Sequence, residues 1–269
     1  SNFFYDANSI QFDEYDLAFI CVGPRNITKL NKKFGNLKCH IFSLENDYGS
    51  VAVLQNHLKK NNISFGIPDV ITSFTASPEN LKKDPNALHT ENGVLYLEKD
   101  DGICAELINL LPDIKWADRE RMLKEWDAKL YIHNTPHCIA AYYGYLNNCT
   151  YVHEALYIDS IKDELDGVID EVLQTLKIKT DHDHEFLEWY AEKEISRFSN
   201  KLLFDPVKRV AREPLRKLAP GGRLVGIMTL ALEAGIFPEH LSRGIAAALK
   251  YELESDADYT VISNINEMG

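Results

Sequence analysis

The chain lacks several features that mark whole classes of protein. Basic residues are outnumbered, with 29 Lys and Arg against 41 Asp and Glu, and the formal net charge of -12 disfavours a nucleic-acid-binding surface, which needs a basic stripe. No apolar run approaches the ~20 residues of a membrane span, and the start does not resemble a secretory signal. With 45% hydrophobic residues among 269, the composition predicts a cytoplasmic protein with a sizeable core, in one large domain or two medium ones.

Cysteine is scarce and has no pairing pattern. The five cysteines are Cys21, Cys39, Cys104, Cys138 and Cys149, an odd number without a C-x-x-C motif. Such spacing disfavours a disulfide framework, so we expect reduced thiols.

Glycine-rich phosphate-binding turns are also missing. No G-x-G-x-x-G occurs among the 14 glycines. The only glycine pair, Gly221-Gly222, lies in a polar segment and not after a strand, which is typical of an ordinary loop.

One segment does carry chemistry, the lysine motif at residues 129–137 (K-L-Y-I-H-N-T-P-H). It spaces Lys129, Asn134 and His137 as K-x4-N-x2-H. On a continuous helix at about 100° per residue, the three side chains fall within one arc of roughly 140° and can face one pocket. Pro136 fits only the first turn of a helix, so a break near Asn134 with a new start there is the alternative, and either geometry lets the three groups converge.

Such a trio suits hydride transfer at a carbinol carbon. A poorly solvated lysine has a lowered pKa and can take the alcohol proton, which makes Lys129 the candidate base. The amide of Asn134 can donate to the oxygen on which charge builds, and His137 can bond the substrate oxygen or a neighbouring hydroxyl. The plainer interpretation is a surface lysine beside a capping asparagine and a satisfied histidine.

Two clusters have residue types that bind metals, although we predict no metal site. His133 and His137 are spaced i,i+4 beside Cys138, yet no glutamate follows His133 and no third ligand is marked. Residues 181–184 (D-H-D-H) lie between two predicted helices, where a solvated loop or an N-cap is the simpler explanation.

Four stretches resemble the long-chain polyol dehydrogenase family, and within it the mannitol-1-phosphate 5-dehydrogenase branch. They run in the order of that family and span nearly the whole chain. The stretches are residues 16–24 (D-L-A-F-I-C-V-G-P), 44–50 (L-E-N-D-Y-G-S), the lysine motif continued to 144 (H-C-I-A-A-Y-Y-G), and 197–200 (R-F-S-N) with 210–218 (V-A-R-E-P-L-R-K-L), 223–224 (R-L) and 244–248 (G-I-A-A-A).

The resemblance implies roles that composition alone would not reveal. Asn46 stands where the family has the partner asparagine of its oxyanion hole, and Gly23, Pro24 and Asn46 would line the cofactor. Asp69 matches an aspartate near the substrate more loosely, because Pro68-Asp69-Val70 replaces the usual V-D-R. Without the family, Asn46 would be read as a turn residue and Asp69 as an N-cap or loop acid.

The resemblance also implies NAD as cofactor and a metal-independent reaction. Family members begin with a strand, a G-x-G-x-x-G turn and a helix that bind the pyrophosphate. Because this chain has no such motif, we expect it to start midway through the nucleotide-binding domain. We expect the active site in the cleft between the two parts of the chain, and the family leaves a homo-oligomer open.

The substrate is indicated by late basic residues. Arginines and a lysine concentrate at positions 209, 212, 216, 217 and 223 of an otherwise acidic chain. Guanidinium groups fit phosphate oxygens, so Arg212 and Arg216 are candidate substrate contacts, although an ion-pair network is the alternative. The branch favours mannitol 1-phosphate and fructose 6-phosphate. A sugar-acid (uronate) reductase, or a non-catalytic sugar-phosphate-binding or oligomerising relic, remains open.

The chain changes character near residue 112. Residues 1–112 are expected to form the remainder of a Rossmann-like domain, with strands at 17–22, 39–44 and 94–97, and residues 113–269 a helical C-terminal domain. The predicted fold class is therefore an incomplete α/β Rossmann-like part followed by a mainly α-helical domain. Helices are predicted at 118–133, 152–176, 183–198, 206–218 and 239–252, with a polar, frayed tail after residue 256.

Overall fold

The computed structural model describes residues 14–69, 72–73, 78–85, 89–90, 93–100, 103 and 105–268. The chain divides into two compact units. Unit 1 comprises Ser1–Val70 and Asn92–Trp126, and unit 2 comprises Ile71–Glu91 and Asp127–Gly269. Residues 113–126 thus belong to the first unit, and the predicted domain boundary after residue 112 stays a prediction.

Unit 1 is built on a mixed sheet of five strands. The order across it is β1-β2-β3-β6-β7; β1, β2 and β3 run parallel, β6 is antiparallel to β3, and β7 is parallel to β6. A short antiparallel pair, β4 with β5, lies in the segment that belongs to unit 2. The strands are β1 Leu17–Ile20, β2 His40–Ser43, β3 Ile63–Asp69, β4 Thr72–Ser73, β5 His89–Thr90, β6 Val94–Glu98 and β7 Lys115–Ala117.

The sequence explains why β2 and β3 are central. All four residues of β2 and the first five of β3 are buried. Ile41, Phe42, Phe65 and Ile67 are each no more than 1% exposed, which is typical of parallel strands covered on both faces. The predicted strands near β1, β2 and β6 are confirmed, whereas β3 and β7 were not predicted.

Helices make up most of the remaining described structure. Three 3-10 helices span Pro24–Lys29, Lys32–Asn36 and Lys201–Leu203, and a π-helix spans Ala128–His133. The α-helices are α1 Ser50–Leu58, α2 Pro78–Lys83, α3 Ala105–Leu110, α4 Arg119–Asp127, α5 Asn134–Leu146, α6 Val152–Ala155, α7 Asp159–Lys179, α8 His184–Phe198, α9 Val207–Ala211, α10 Pro214–Leu218, α11 Val225–Glu233, α12 Glu239–Leu249 and α13 Tyr259–Met268.

The core of unit 2 forms around α5, which is buried along nearly its whole length. Residues Cys138 to Tyr142 are all fully buried, and α7, α9 and α12 contact the helix. Gly244 lets α12 approach closely, because a Cβ there would lie 2.5 Å from Cδ1 of Ile139. A central buried helix surrounded by amphipathic ones is the expected layout of an all-helical unit.

Three sequence expectations about helices are wrong in detail. The helix predicted at 206–218 is two helices, because Pro214 disfavours the helical conformation in Glu213, whose φ is 54°. The helix predicted at 152–176 is also two, since Ile158 is extended between α6 and α7. The tail is not frayed: α13 forms there with Ile262 fully buried.

Smaller expectations agree with the structure. Cys21, Cys39, Cys138 and Cys149 are free thiols, and Cys104 lies outside the described residues. Across the described part of the chain, helices are too short or too polar to cross a membrane.

Candidate functional site

The lysine motif begins in the π-helix and continues into α5. The backbone N–H of Asn134 donates to the carbonyl of Lys129, so the K-x4 part of the motif forms one π-turn. The helix type changes at Asn134, where the sequence predicts a break, and Pro136 is accommodated as the third residue of α5. Single π-turns are rare and frequently occur at functional sites.

Asn134 carries an unsatisfied polar atom. Its side chain is buried, with the residue 5% exposed, and its Nδ2 has no hydrogen-bond partner among the residues that the structure describes. A buried amide donor without an acceptor costs about 1–3 kcal/mol. A ligand oxygen would satisfy it. The N-cap position of α5 is His133 and not Asn134.

His137 is held by a buried acid and an aromatic ring. Its Nε2 lies 3.0 Å from Oδ2 of Asp205, and its ring stacks on Phe198 with centroids 5.0 Å apart and planes 4° apart. Arg209 donates from Nε to Oδ1 of Asp205 at 2.8 Å. Burial would raise the pKa of Asp205, but His137 and Arg209 outweigh it and hold that pKa below its usual range.

His133 makes a second imidazole–carboxylate pair one turn earlier. Its Nδ1 lies 2.5 Å from Oε2 of Glu194, a residue with no exposed surface. Arg197 donates to Oε1 of Glu194 at 2.8 Å, and Nζ of Lys193 lies 3.1 Å from the same oxygen. The rings of His133 and His137 lie 5.2 Å apart, and both contact Phe198.

The two partners of this pair respond oppositely to burial. Burial lowers the pKa of His133, even though Glu194 acts against it. Burial alone would raise the pKa of Glu194, but His133, Arg197 and Lys193 bring it well below the usual range. Glu194 is therefore an ionised carboxylate in a dry environment.

The metal interpretations gain no support from these contacts. Each histidine of the i,i+4 pair faces its own carboxylate, and within the described ranges His, Cys, Asp and Glu do not form a group of three suited to a metal ion. In the 181–184 segment, Asp183 caps α8 by accepting from the Glu185 amide at 3.1 Å, as the N-cap interpretation predicts. His182 contacts Asp127 instead, with Nε2 3.2 Å from Oδ2.

The late basic residues differ strongly in their surroundings. Arg212, a predicted substrate contact, is exposed, and Arg216 donates to Glu213 at 3.2 Å, which is the ion-pair alternative. Lys217 and Arg223 are buried, at 2% and 9% exposed. The pKa of Lys217 is lowered to about 7, chiefly by burial; Cys138 acts against this shift, and Arg223 and Arg216 act with it.

Residues predicted to line the cofactor lie in unit 1, where β1 and β2 end. Gly23 and Pro24 follow β1, Asn46 follows β2 and is exposed, and Asp69 ends β3. These strands are parallel neighbours, so their carboxyl ends lie at one edge of the sheet, the edge where α/β proteins bind ligands. Glu45 connects the first two loops: its Oε1 accepts from Val22 N at 2.6 Å and from Gly23 N at 3.1 Å.

These contacts decide how far the described residues fit a dinucleotide. Gly23 has a φ of 86°, which allows a close backbone approach, and Asn46 offers an exposed amide. The amides of Val22 and Gly23 already bond Glu45 and are not available to a phosphate. These two loops therefore offer a close backbone approach at Gly23 and an exposed amide at Asn46, whereas the described residues hold no turn for a pyrophosphate.

Sequence reasoning missed the two buried acids. Glu194 follows Leu187 and Ala191 at helical spacing, so its position on the buried face of α8 was a readable signal. Asp205 carried no such signal. It lies before α9 and reaches His137 only because α5 and α9 contact each other.

Comparison with known proteins supports one assignment. Residues 123–267, which include the whole lysine motif, match the model of the mannitol dehydrogenase C-terminal domain family. The chain belongs to this family. The resemblance to long-chain polyol dehydrogenases is thereby confirmed. The lysine motif, the two buried acids and the buried residues Lys217 and Arg223 all lie inside the mannitol dehydrogenase C-terminal domain.

Two relatives have a sequence similar to this member of the family. Mannitol-1-phosphate 5-dehydrogenase of Caldanaerobacter subterraneus subsp. tengcongensis is 44% identical over 131 residues, which is 49% of this chain and 34% of that relative. The enzyme of the same name from Thermoanaerobacter pseudethanolicus is 29% identical over 243 residues, 86% of this chain and 61% of that relative. The chain thus spans between one third and three fifths of the relatives it matches.

Solved structures share the fold. Pseudomonas fluorescens mannitol 2-dehydrogenase, in a ternary complex with NAD and D-mannitol, matches with a TM-score of 0.70 at 16% identity, over 93% of this chain and 63% of that one. D-sorbitol dehydrogenase in substrate-free form matches with a TM-score of 0.64 at 19% identity, over 87% and 60%. The predicted fold class, an α/β Rossmann-like part followed by a helical domain, is confirmed.

Proposed function

We propose that this protein acts in an NAD-dependent polyol-phosphate dehydrogenase, interconverting mannitol 1-phosphate and fructose 6-phosphate. The observation that carries the proposal is the π-turn of the lysine motif, which joins Lys129 to Asn134 and leaves Nδ2 of Asn134 buried with no partner in the described part of the chain. The names of the two sequence relatives support the substrate pair.

Lys129 is the proposed general base. In polyol oxidation it takes the hydroxyl proton at Nζ, and in ketose reduction it returns that proton to the carbonyl oxygen. Lys129 lies on the half-buried turn of the motif. The first step needs the neutral amine, which a poorly solvated site favours.

Asn134 is the proposed donor to the alkoxide. Its Nδ2 is already desolvated, so a bond to the developing negative charge forms without reorganising water, and such a donor is worth about 3 kcal/mol of barrier. Asn46 is proposed to share this role. That part rests on the resemblance, as does a contact of Asp69 with substrate.

His137 is the proposed orienting residue. Because Nε2 faces Asp205, Nδ1 is the nitrogen left for a substrate hydroxyl. The stack on Phe198 fixes the plane of the ring. Gly23, Pro24 and Asn46 are the residues proposed to contact NAD, which when bound accepts or supplies the hydride.

The test is NADH oxidation by a chimera and by the chain itself. In the chimera, residues 123–267 replace the matching domain of the Caldanaerobacter relative, and fructose 6-phosphate, fructose and a uronate are compared as substrates. We expect turnover of fructose 6-phosphate that Lys129→Met abolishes and that Lys162→Met, an exposed lysine on α7, leaves unchanged.

Three results would contradict the proposal. Turnover that survives Lys129→Met would remove the lysine from the mechanism. A preference for the uronate would favour the sugar-acid alternative. Folded but inactive chimeras, with no substrate turned over, would favour a non-catalytic role.

A further inference from the structure

His133 is a buried titratable residue that the proposed mechanism does not use. It directly precedes Asn134 and is the last residue of the π-helix, which begins one residue before Lys129. Its ring lies 5.2 Å from that of His137, and both rings contact Phe198. Since the rings are in contact and their side chains are exposed to nearly the same small extent, 11% and 10%, they make one polar edge, which we name the histidine edge.

Each imidazole of the histidine edge is anchored through one nitrogen. Nδ1 of His133 lies 2.5 Å from Oε2 of Glu194, and Nε2 of His137 lies 3.0 Å from Oδ2 of Asp205. Within the part of the chain that the structure describes, His133 makes no hydrogen bond through Nε2. His133 therefore has one nitrogen held by the protein and one left over, as His137 has.

Glu194 decides which nitrogen of His133 carries the proton. Although burial raises the pKa of Glu194, the opposing effects of His133, Arg197 and Lys193 outweigh it, so the carboxylate is ionised and accepts from Nδ1. Burial holds the pKa of His133 below 6.5, and above that pH the uncharged ring predominates. An uncharged imidazole has a proton on one nitrogen only, so Nε2 presents a lone pair and acts as an acceptor.

A buried histidine–carboxylate pair is a costly way to fill a core. Glu194 has no exposed surface, and the removal of a carboxylate from water is only partly offset by its ion pairs. Apolar side chains of similar volume are often equally stable or more stable in such a place. The pair is therefore expected to serve recognition as well as packing.

The acceptor nitrogens of the histidine edge select hydroxyl donors. A polyol or ketose chain has hydroxyls on the carbons next to the reacting one, and each O–H donates one hydrogen bond. An ionised carboxylate has no proton to donate and would face two lone pairs. The histidine edge therefore fits the hydroxyls of a sugar chain and not an acidic end.

The histidine edge lies beside the group proposed to bind the reacting oxygen. At about 100° per residue, His133, Asn134 and His137 fall within an arc of about 100° around the helix axis. Asn134 contributes a donor that has no partner among the described residues, whereas the two rings contribute acceptors. A donor next to two acceptors matches an alcohol carbon with a hydroxyl on the neighbouring carbon.

We propose that Nε2 of His133 accepts a hydrogen bond from the substrate hydroxyl on a carbon adjacent to the reacting carbon. Glu194 holds the ring in the tautomer that accepts, and His137 binds the reacting oxygen or the other neighbouring hydroxyl. The inference rests on the proposed function for the identity of the sugar. It makes His133 a residue that determines specificity for substrates with vicinal hydroxyls.

The test is a cycle of protein and substrate changes in the chimera that carries residues 123–267. His133→Asn keeps an amide donor where Nδ1 lies and removes the acceptor at Nε2, whereas His133→Gln keeps an amide oxygen near that acceptor. The substrates are fructose 6-phosphate and its 1-deoxy and 3-deoxy analogues, each of which lacks one hydroxyl next to the reacting carbon. His184→Asn, an exposed histidine at the start of α8, is the matched control, and circular dichroism shows which variants fold.

We expect His133→Asn to lower kcat/KM for fructose 6-phosphate about tenfold to a hundredfold, because a site built to bond a hydroxyl loses its acceptor. One deoxy analogue should lose a similar factor in the native chimera and hardly any more in His133→Asn, since the missing hydroxyl and the missing nitrogen belong to one bond. His133→Gln should recover part of the activity. His184→Asn should have native kinetics with all three substrates.

Two results would overturn the hydroxyl contact. One is native kcat/KM in a folded His133→Asn chimera, and the other is losses that simply multiply for both analogues, so that neither hydroxyl is coupled to His133. A folded chimera without turnover would contradict the proposed function separately. The same cycle is then measured on dissociation constants by isothermal titration calorimetry, where coupling would support the contact and its absence would overturn it.

Discussion

His137 and Asp205 form a buried pair, with Nε2 of the imidazole 3.0 Å from Oδ2 of the carboxylate. The two residues are 68 positions apart in the sequence and come together because α5 and α9 pack side by side. The pair fixes which ring nitrogen faces the protein. The orientation of His137 is therefore set by the fold and not by the lysine motif itself.

Asp205→Asn should lower kcat/KM of the chimera about tenfold to a hundredfold, because an amide no longer favours the required ring orientation. Asp163→Asn, an exposed acid on α7, is the control and should have native kinetics. Native kcat/KM in Asp205→Asn would show that the pair is structural only.

The lowered pKa of Glu194 predicts that acid destabilises unit 2. Its pKa in the folded chain lies below the usual 4.5, so the stability that it contributes is present above that value and is lost as the pH falls below it. His133 acts in the same direction: its folded pKa lies below 6.5, and the unfolded chain takes up a proton that the folded chain does not. Melting temperatures should therefore fall as the pH drops below 6.5, through His133, and fall further below pH 4.5, through Glu194.

Glu194→Gln should flatten the part of that fall below pH 4.5 and lower stability by about 3–5 kcal/mol at pH 7, because Arg197 and Lys193 lose their charged partner. Glu192→Gln, an exposed acid on the same helix, should follow the native curve. Circular dichroism melts at each pH measure both effects. A variant with the native slope would assign the acid sensitivity to other groups.

Asn134→Ala should separate activity from stability. Loss of the donor should reduce kcat about a hundredfold to a thousandfold, whereas the free energy of unfolding should hardly fall, since Nδ2 has no partner to lose. Urea unfolding and NADH kinetics on the same preparation measure the two quantities. A large loss of stability would show that Asn134 is a structural residue.

The lowered pKa of Lys217 predicts that the free energy of unfolding rises in mild alkali. Its folded pKa of about 7 lies below the unfolded 10.5, so between these values the unfolded chain holds a proton that the folded chain lacks, and stability rises with pH. Melts between pH 7 and pH 9.5 should show the rise in the native chain and in Lys162→Met, but not in Lys217→Met. A rise that persists in Lys217→Met would contradict the assignment.

Gly35→Ala should destabilise unit 1 by about 1–3 kcal/mol, because a Cβ there would lie 2.2 Å from the carbonyl oxygen of Leu58. Backbone atoms cannot move aside as a flexible side chain can. Gly49→Ala is the control, since its Cβ would meet only the Asp47 side chain at 3.3 Å. Equal melting temperatures for the two variants would contradict this expectation.

The local sequence pattern was sufficient to predict several strands and the helical character of the lysine motif. The alternation and apolar runs near β1, β2 and β6 predicted strands, and the spacing of Lys129, Asn134 and His137 predicted a shared helical face. Pro136 marked the place where the helix type changes. These features depend on residues within about two turns of one another, so the sequence contains their causes directly.

The sequence by itself determined the helical and strand segments, the lysine motif and the excess of acid. Only the tertiary structure decided that Glu194 and Asp205 hold the two histidines, that Arg223 is buried while Arg212 is exposed, and that the polar tail forms a helix over Ile262. The physical reason is that burial and ion pairing depend on which segments meet. That choice is made by packing between helices far apart in the chain, where a residue's own neighbours carry no information.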